Sequence, residues 1–277
     1  MEKQKQYYYA YSQYLKDKYG EKVYKLPVNL PVTCPNKKDG KGCLFCAEAG
    51  TGFEASDSAV SVFEQLAASR TKVEKRYHAH KFIAYFQNYT NTFLPLDRLL
   101  GYMEEASKVE DIVEISISTR PDCIRQDYLE AFYEFSSRTG IEVSIELGLQ
   151  TVNYHTLMEM NRGHGLAEFI DAVLRIAPYH FPVCVHMILN LPGDTMDDAK
   201  ESARILSALP ISMVKLHSLY IPKQCELYDK YIRGEIEICP KEEYLNRLTE
   251  FIALLRPDIT VERLFSRIPE KDSAFSN

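Results

Sequence analysis

The sequence predicts an α/β fold, a partial (β/α)6 TIM-like barrel in which parallel strands and helices alternate. Apolar, β-branched runs recur every 30 to 40 residues, and segments of helical periodicity fill the gaps between them. Strands that alternate with helices read as βα units, because a parallel neighbour is reached only through a crossover. Composition agrees: 277 residues, 45% hydrophobic and 26% charged, can bury one sizeable core. A single domain is expected over residues 1–277, with an N-terminal helix over about 4–19 and a core barrel over about 22–265.

The run at 23–30 supplies a first strand that leads directly to Cys34. Further strands are expected at 81–86 (KFIAYF), 112–118 (IVEISIS), 141–147 (IEVSIEL), 183–189 (VCVHMIL) and 213–220 (MVKLHSLY). Helices are expected at 96–108, 126–139, 154–160, 166–178 and 197–209, with a last helix at 241–255 and a strand at 259–265. About six such units make an open or partial barrel, short of the eight that close one. In either geometry chemistry belongs at the C-terminal ends of the strands.

The net charge of −6 is unevenly spread. Residues 1–90 hold 14 Lys/Arg against 9 Asp/Glu (+5), and the remainder holds 19 against 30 (−11). Such an asymmetry suits a basic surface near the cysteine cluster that meets a phosphate-bearing partner; a solvated face without a partner explains it as well. The Tyr-rich stretch at 7–19 reads either as a base-stacking surface or, in preference, as the half-buried face of a terminal helix. No stretch approaches the roughly 20 apolar residues of a membrane span. The first residues are polar, without a signal-peptide core. A cytoplasmic protein with no membrane association is expected, and its seven cysteines are expected to be reduced.

Three cysteines, Cys34, Cys43 and Cys46, crowd into thirteen residues after the first strand, in a Gly-, Lys- and Asn-rich loop. Glycines let such a loop fold tightly so that three thiolates converge on one metal centre. A structural zinc site closes with four ligands, and the nearest histidines, His78 and His80, come more than thirty residues later. An iron–sulfur cubane held by three thiolates instead leaves one iron open to an exogenous ligand, a position suited to the amino and carboxylate groups of S-adenosylmethionine. Three unliganded thiols are the remaining reading. Phe45, between the last two cysteines, fits an adenine contact. Cys225 and Cys239, with no CxxC pair, read as ordinary buried thiols.

With its ordered motifs LPVNLPVTCPN, GCLFCAEAGTGFE, YFQNYTNTF, ISTRPDCI, ELGLQT, NRGH and ILNLPGDT, the chain resembles the radical S-adenosylmethionine superfamily. More narrowly it is similar to the small bacterial YhcC-type proteins related to the Elongator catalytic subunit, a likeness running from about Tyr14 to Phe265. The eight-residue gap between the first two cysteines matches that branch and departs from the shorter gap of the wider superfamily. The resemblance implies a barrel of the radical SAM type and a [4Fe–4S] cluster on Cys34, Cys43 and Cys46. The cluster would reductively cleave S-adenosylmethionine, giving a radical that takes hydrogen from substrate.

Cofactor contacts follow strand by strand. Gln87 can line the site with hydrogen-bonding groups, while Asn91 and Thr92 read as a loop capping the next helix. Ser118 lies where family members contact the ribose or methionine part, and Pro121 and Asp122 read as helix-initiating. Gly148 lets backbone approach a ligand, and the resemblance places Gln150 on S-adenosylmethionine. Arg162 looks like the family's arginine on the cofactor carboxylate, a role its fork suits; a surface arginine at a helix end is the alternative. The ILNLPGDT segment, with Leu191, resembles the adenine-binding loop, but Asn190 stands where the family usually has glycine. His186 reads as a ribose contact or a satisfied core histidine, and His217 sits where substrate is reachable.

For function, the resemblance implies modification of a tRNA wobble uridine side chain, with an electron donor such as flavodoxin or ferredoxin. Radical chemistry on a small molecule or protein side chain is the alternative, and a non-catalytic metal-bound RNA-binding or scaffold protein is a third. No GxSxG elbow supports a hydrolase.

Overall fold

The computed structural model describes residues 7–38, 40, 42–46, 56–223, 225–266 and, through their backbone, 273–276. Six strands in chain order form its centre: β2 (Val23–Val28), β3 (Lys81–Phe86), β4 (Ile112–Thr119), β5 (Glu142–Gln150), β6 (Val183–Ile188) and β7 (Met213–His217). Each is parallel to the next. β1 (Tyr9–Ala10) and β9 (Thr260–Arg263) extend the sheet to eight strands in the order β1-β9-β7-β6-β5-β4-β3-β2. The crossovers are α3 (Val62–Tyr77), α4 (Leu96–Ser107), α5 (Gln126–Thr139), α6 and α7 (Tyr154–Glu159, Leu166–Ile176), α8 (Met196–Ala208), and α9 and α10 (Glu226–Ile232, Lys241–Leu254). This is the half-barrel expected from the alternation. Phe82, Leu99, Met103, Phe132, Phe169 and Phe251 are fully buried between the outer sheet face and the helices.

The strand at 81–86 and the helix at 126–139 match expectation to the residue. Three regions differ. α3 was not anticipated, although Ser61 and Glu64 form a reciprocal capping box at its start. The expected strand at 213–220 breaks after His217, and β8 (Tyr220–Pro222) pairs antiparallel with β10 (Ser273–Ser276) in a second sheet. The break has a cause: Ser218 and Ser266 exchange hydroxyl-to-carbonyl hydrogen bonds (3.1 and 3.2 Å), and Leu219 N donates to Asn190 Oδ1 (2.6 Å). These pull the backbone off the parallel ladder. Finally, the first helix, α1, spans Tyr11–Tyr19; residues 9–10 pair with Thr260 and Val261, and residues 4–6 of the expected helix lie outside the described set.

α1 closes the floor of the half-barrel. Leu15 packs on Val23 and Ile83 with Tyr11, Tyr14 and Tyr19 around them. Tyr19 donates to Glu114 (2.7 Å) and Glu142 (2.9 Å), and Lys18 pairs with Glu142. Tyr11, Tyr14 and Tyr19 of the stripe therefore form the inner face of this helix, while Tyr7 is exposed and Tyr9 lies in β1.

Above that floor the barrel interior is ionic. Glu146, 1% exposed, receives Lys25 from β2, Lys215 from β7 (3.1 Å), the Tyr85 hydroxyl from β3 (2.8 Å), Ser116 from β4 (3.0 Å) and His186 Nε2 from β6 (2.5 Å). Glu262 on β9 completes the square with Lys25 and Lys215, each at 2.8 Å. Two cations thus balance two carboxylates, as buried charges require. Burial alone raises a carboxyl, but Lys215, Lys25 and His186 outweigh it and hold Glu146 well below its ordinary range.

Replacing Glu146 by Gln leaves two buried ammonium groups with one carboxylate between them. It should destabilise the fold by about 3–5 kcal/mol near neutral pH in denaturant unfolding. Because the folded-state value is depressed, the stabilisation is complete above the unfolded value of 4.5 and is lost as pH falls below it. The gap between parent and variant should therefore narrow on acidification; a gap that widens would refute the assignment.

Candidate active site

The cysteine loop leaves the C-terminal end of β2 and is tied down on three sides. The short helix α2 (Pro35–Lys38) begins at Cys34, whose carbonyl accepts from Lys37 N and Lys38 N (both 2.9 Å). Gly42, at φ +84°, makes the turn that a side chain would strain. Asn36 Nδ2 donates to Asn161 O and Asn161 Nδ2 to Gly42 O (both 2.7 Å), a reciprocal clasp between the loop and the turn after α6. Leu44 N donates to Met160 O (3.1 Å), and Leu44 O accepts from Leu227 N on α9 (2.9 Å). Leu44 also joins Met160, Ile188, Leu191, Leu219, Ile221 and Leu227 in a satellite apolar cluster, with Phe45 packed against it.

This clasp aims the sulfurs at two guanidinium groups. Arg162 Nη1 donates to Cys43 Sγ (3.1 Å), joined there by Asn36 Nδ2 (3.6 Å), and Arg120 Nη1 donates to Cys34 Sγ (3.7 Å). Cys46 lies within electrostatic reach of both other thiols; burial, opposed chiefly by Lys37, pushes it up to about 11. Three soft sulfur ligands ringed by cationic and amide donors form a set suited to an iron–sulfur cluster, whose sulfurs take such hydrogen bonds. Another grouping of potential ligands, Glu146, Cys184 and His186, has atoms within 4.8 Å of one another. Its carboxylate is already neutralised by Lys25 and Lys215, so a divalent ion has no charge to meet there.

At the end of β5 the chain makes room for something else. Gln150 adopts φ +80°, a left-handed conformation uncommon for a residue with a side chain, at a register shift against β6. A Cβ on Gly148 would lie 3.0 Å from Gln150 Nε2 and 3.3 Å from Arg162 Nη2. Arg162 is 6% exposed; Nη2 donates to Gly148 O (2.6 Å), while its buried Nε has no partner. Glycine at 148 thus lets Gln150 and Arg162 meet beside the cysteine loop. Arg162 also lies 5.8 Å over the Phe45 ring, and Phe45 shares the satellite cluster with Leu191.

The other expected contacts are more dispersed. Gln87 follows β3 directly, its backbone N–H donating to Val28 O (3.2 Å). Ser118 is turned into the barrel, donating to Tyr85 (3.2 Å), and His186 is bound to Glu146 beneath. Asn190 does not adopt the left-handed backbone that glycine permits; its side chain instead anchors Leu219. Cys225 donates to Pro222 O (3.1 Å) and Cys239 packs against the main core. The AEAGTGFE portion of the cysteine motif lies outside the described residues.

A model of the radical SAM superfamily matches residues 28–206, and one of the radical SAM C-terminal domain matches residues 211–277. The chain belongs to the radical SAM superfamily, whose members use S-adenosylmethionine and an iron–sulfur cluster. Within it, the relation is of the YhcC type: the chain is 32% identical over 251 residues to protein YhcC of Escherichia coli, covering 89% of this chain and 79% of that protein. It is 24% identical over 175 residues to the tRNA uridine(34) acetyltransferase of Methanocaldococcus jannaschii, 60% of this chain but 31% of that protein. Among solved structures, Elp3 of Methanocaldococcus infernus superimposes with a TM-score of 0.71 at 17% identity, over 91% of this chain and 58% of that one. That likeness bears on the fold, and the chain spans little more than half of that solved chain. The protein is thus an S-adenosylmethionine-dependent enzyme, and no helix among its described residues is long and apolar enough to cross a membrane.

Sequence reasoning passed over Arg120 and Asn36. Arg120 stands in the quoted ISTRPDCI motif, where Asp122 was read as a helix cap. Asp122 instead holds Arg120 by two bonds (2.9 and 2.7 Å) and so aims its remaining nitrogen at Cys34. The Arg-x-Asp spacing after a strand was the available signal. Cys123 is also within electrostatic reach of Cys34, with burial pushing it up to about 12.

Replacing Gly148 by Ala should displace Gln150 and Arg162 without removing a cysteine. S-adenosylmethionine binding, measured by equilibrium dialysis, should weaken at least tenfold, about 1.4 kcal/mol, while iron content after anaerobic reconstitution stays at the parental level. Unchanged binding would refute the cradle.

Proposed function

We propose that Cys34, Cys43 and Cys46 would hold a [4Fe–4S] cluster, which would supply one-electron reduction of S-adenosylmethionine, breaking a C–S bond with methionine leaving, for hydrogen abstraction from substrate. The observation that carries this reading is the meeting of three thiols, two guanidinium groups and the strained Gln150 at one end of the parallel strands. In this reading Arg162 and Gln150 orient the methionine part of the cofactor, a fork suiting its carboxylate. Phe45 and Leu191 offer an apolar contact for adenine, and Gln87, Ser118 and His186 face the rest of the cofactor from β3, β4 and β6. The residues of the satellite cluster keep water from that side. An electron donor such as flavodoxin or ferredoxin completes the cycle, in a single cytoplasmic domain.

The substrate we assign is a wobble uridine side chain of tRNA. Support comes from the relative named as a tRNA uridine(34) acetyltransferase and from the rim of the cysteine loop. There Lys37 lies 5.1 Å over Tyr89 and Lys38 5.5 Å over Phe93, a pairing of cations and rings that suits nucleic acid. The basic excess of the first 90 residues is partly committed, since Lys25 is spent inside the barrel and Lys18 is paired with Glu142 below it. The external remainder is therefore concentrated at fewer points.

Two measurements test this. Anaerobically reconstituted protein should release 5′-deoxyadenosine on dithionite addition, and Cys43→Ala should lose iron and that release together; full iron in the variant would overturn the ligand assignment. Nucleoside analysis of tRNA from a deletion strain should show an altered wobble-uridine side chain, restored by the parent gene and not by Cys43→Ala. An unchanged profile would move the substrate to a small molecule or protein side chain.

A further inference from the structure

Among the described residues, the barrel mouth holds a cation that the ionic square beneath does not use. Arg263, the last residue of β9, is exposed and is aligned with Lys215 across a register shift. Its neighbour Glu262 is committed to Lys25 and Lys215. Among the described residues Arg263 pairs with no carboxylate. Its Nη2 lies 2.8 Å from His217 Nδ1 and 3.1 Å from His217 Nε2. Near-equal reach to both ring nitrogens places that nitrogen over the ring face, since a position in the ring plane would collide with the carbon between them. An Nη2 N–H is therefore directed at the imidazole, which tethers the guanidinium and leaves one of its two N–H forks without a partner among the described residues.

His217 in turn is stacked on His186 (centroids 5.2 Å, 27°), which is fixed by Glu146. Burial first, then Arg263 itself, holds His217 well below its ordinary value, so no second charge competes at this point. The mouth opens toward the cysteine loop: the Tyr220 phenol is within electrostatic reach of both Arg263 and Cys46. A guanidinium that pairs with no carboxylate among the described residues, tethered to His217 through Nη2 and beside the place where chemistry is proposed, can receive an oxyanion on its remaining fork through two parallel hydrogen bonds.

We infer that Arg263, seated on His217, is the receptor for an acidic group of the substrate, a carboxylate or a phosphate, held over the barrel mouth. The inference rests on the reading of the site given above and deepens it by naming the substrate as an anion at the point bound here. Sequence reasoning had singled out His217 alone; the arginine sits forty-six residues later and reaches the ring only through the β7–β9 pairing.

The test is calorimetric titration of the full-length protein with inorganic phosphate and, separately, with acetate, at constant ionic strength set by chloride. The parent should bind at least one of them saturably, with a dissociation constant on the order of millimolar; the tighter one indicates whether the natural group is a phosphate or a carboxylate. Arg263→Gln should weaken that binding at least tenfold. Arg256→Gln, whose guanidinium is already held by Asp258 (2.6 Å), should not change it. Absence of saturable binding in the parent, or binding unchanged in Arg263→Gln, overturns the inference. If Arg263→Gln does not fold, Arg263→Lys decides, because it keeps the charge without the planar fork: binding weaker than the parent's supports the receptor and equal binding overturns it. Neither titration involves the cluster, so a parent that fails to cleave S-adenosylmethionine overturns the proposed function and leaves this result to stand by itself.

Discussion

The carboxylate of Glu146 is the point to which the rest of the molecule is referenced. It takes hydrogen bonds or ion pairs from β2, β3, β4, β6 and β7, while its own backbone belongs to β5. A half-barrel has no closing ladder of backbone hydrogen bonds, so its inner face needs another tie. Here Lys25 and Lys215, each shared between Glu146 and Glu262, connect β2 across the interior to β5, β7 and β9. Such a square is no bargain in bulk stability, since desolvating four charges offsets much of their attraction. What it does impose is register, because a one-residue slip in any of these strands would turn its member out of the barrel and leave the others unpaired.

That register is transmitted along β5. Gly148 and Gln150 follow Glu146 at spacings of two and four, on the same face of the same strand. Arg162 bonds to Gly148 O and to Cys43 Sγ, so the cysteine loop is positioned from the strand that carries the ionic centre. The Asn36–Asn161 clasp and the contacts of Leu44 fix the loop from its other side. Radical chemistry demands that reacting groups be held in place and water be excluded, and a site referenced to a packed strand meets that demand better than a free loop.

Substitutions within family-like motifs also find physical accounts. Asn190, at the position where glycine was expected, uses its side chain to hold Leu219 and so helps end β7 at His217. The break separates β8 from the barrel and leaves His217 at the mouth, open to Arg263 on β9. Arg120 reaches Cys34 only because Asp122 grips its other two nitrogens. In each case a polar side chain does what the local backbone alone does not.

Much of this was legible in the order of residues. Alternating β-branched runs and helical periods determine the half-barrel, because side-chain periodicity decides which face is apolar before any long-range contact forms; KFIAYF and the segment at 126–139 were read to the residue. The close spacing of Cys34, Cys43 and Cys46 points to a metal-binding loop, since ligands near in sequence meet at little entropic cost. The helix α3 was readable too, from Ser61 just ahead of Val62 and Glu64 three residues after that serine. What the tertiary structure alone decided are the partners of charges distant in sequence. That Lys25 belongs to Glu146 and Glu262, that Arg120 and Arg162 face sulfurs, and that Arg263 lies on His217 follow from strand order and register in the sheet. No local periodicity encodes these, because an ionic pair is chosen by the three-dimensional meeting of two strands and not by the residues that flank either member.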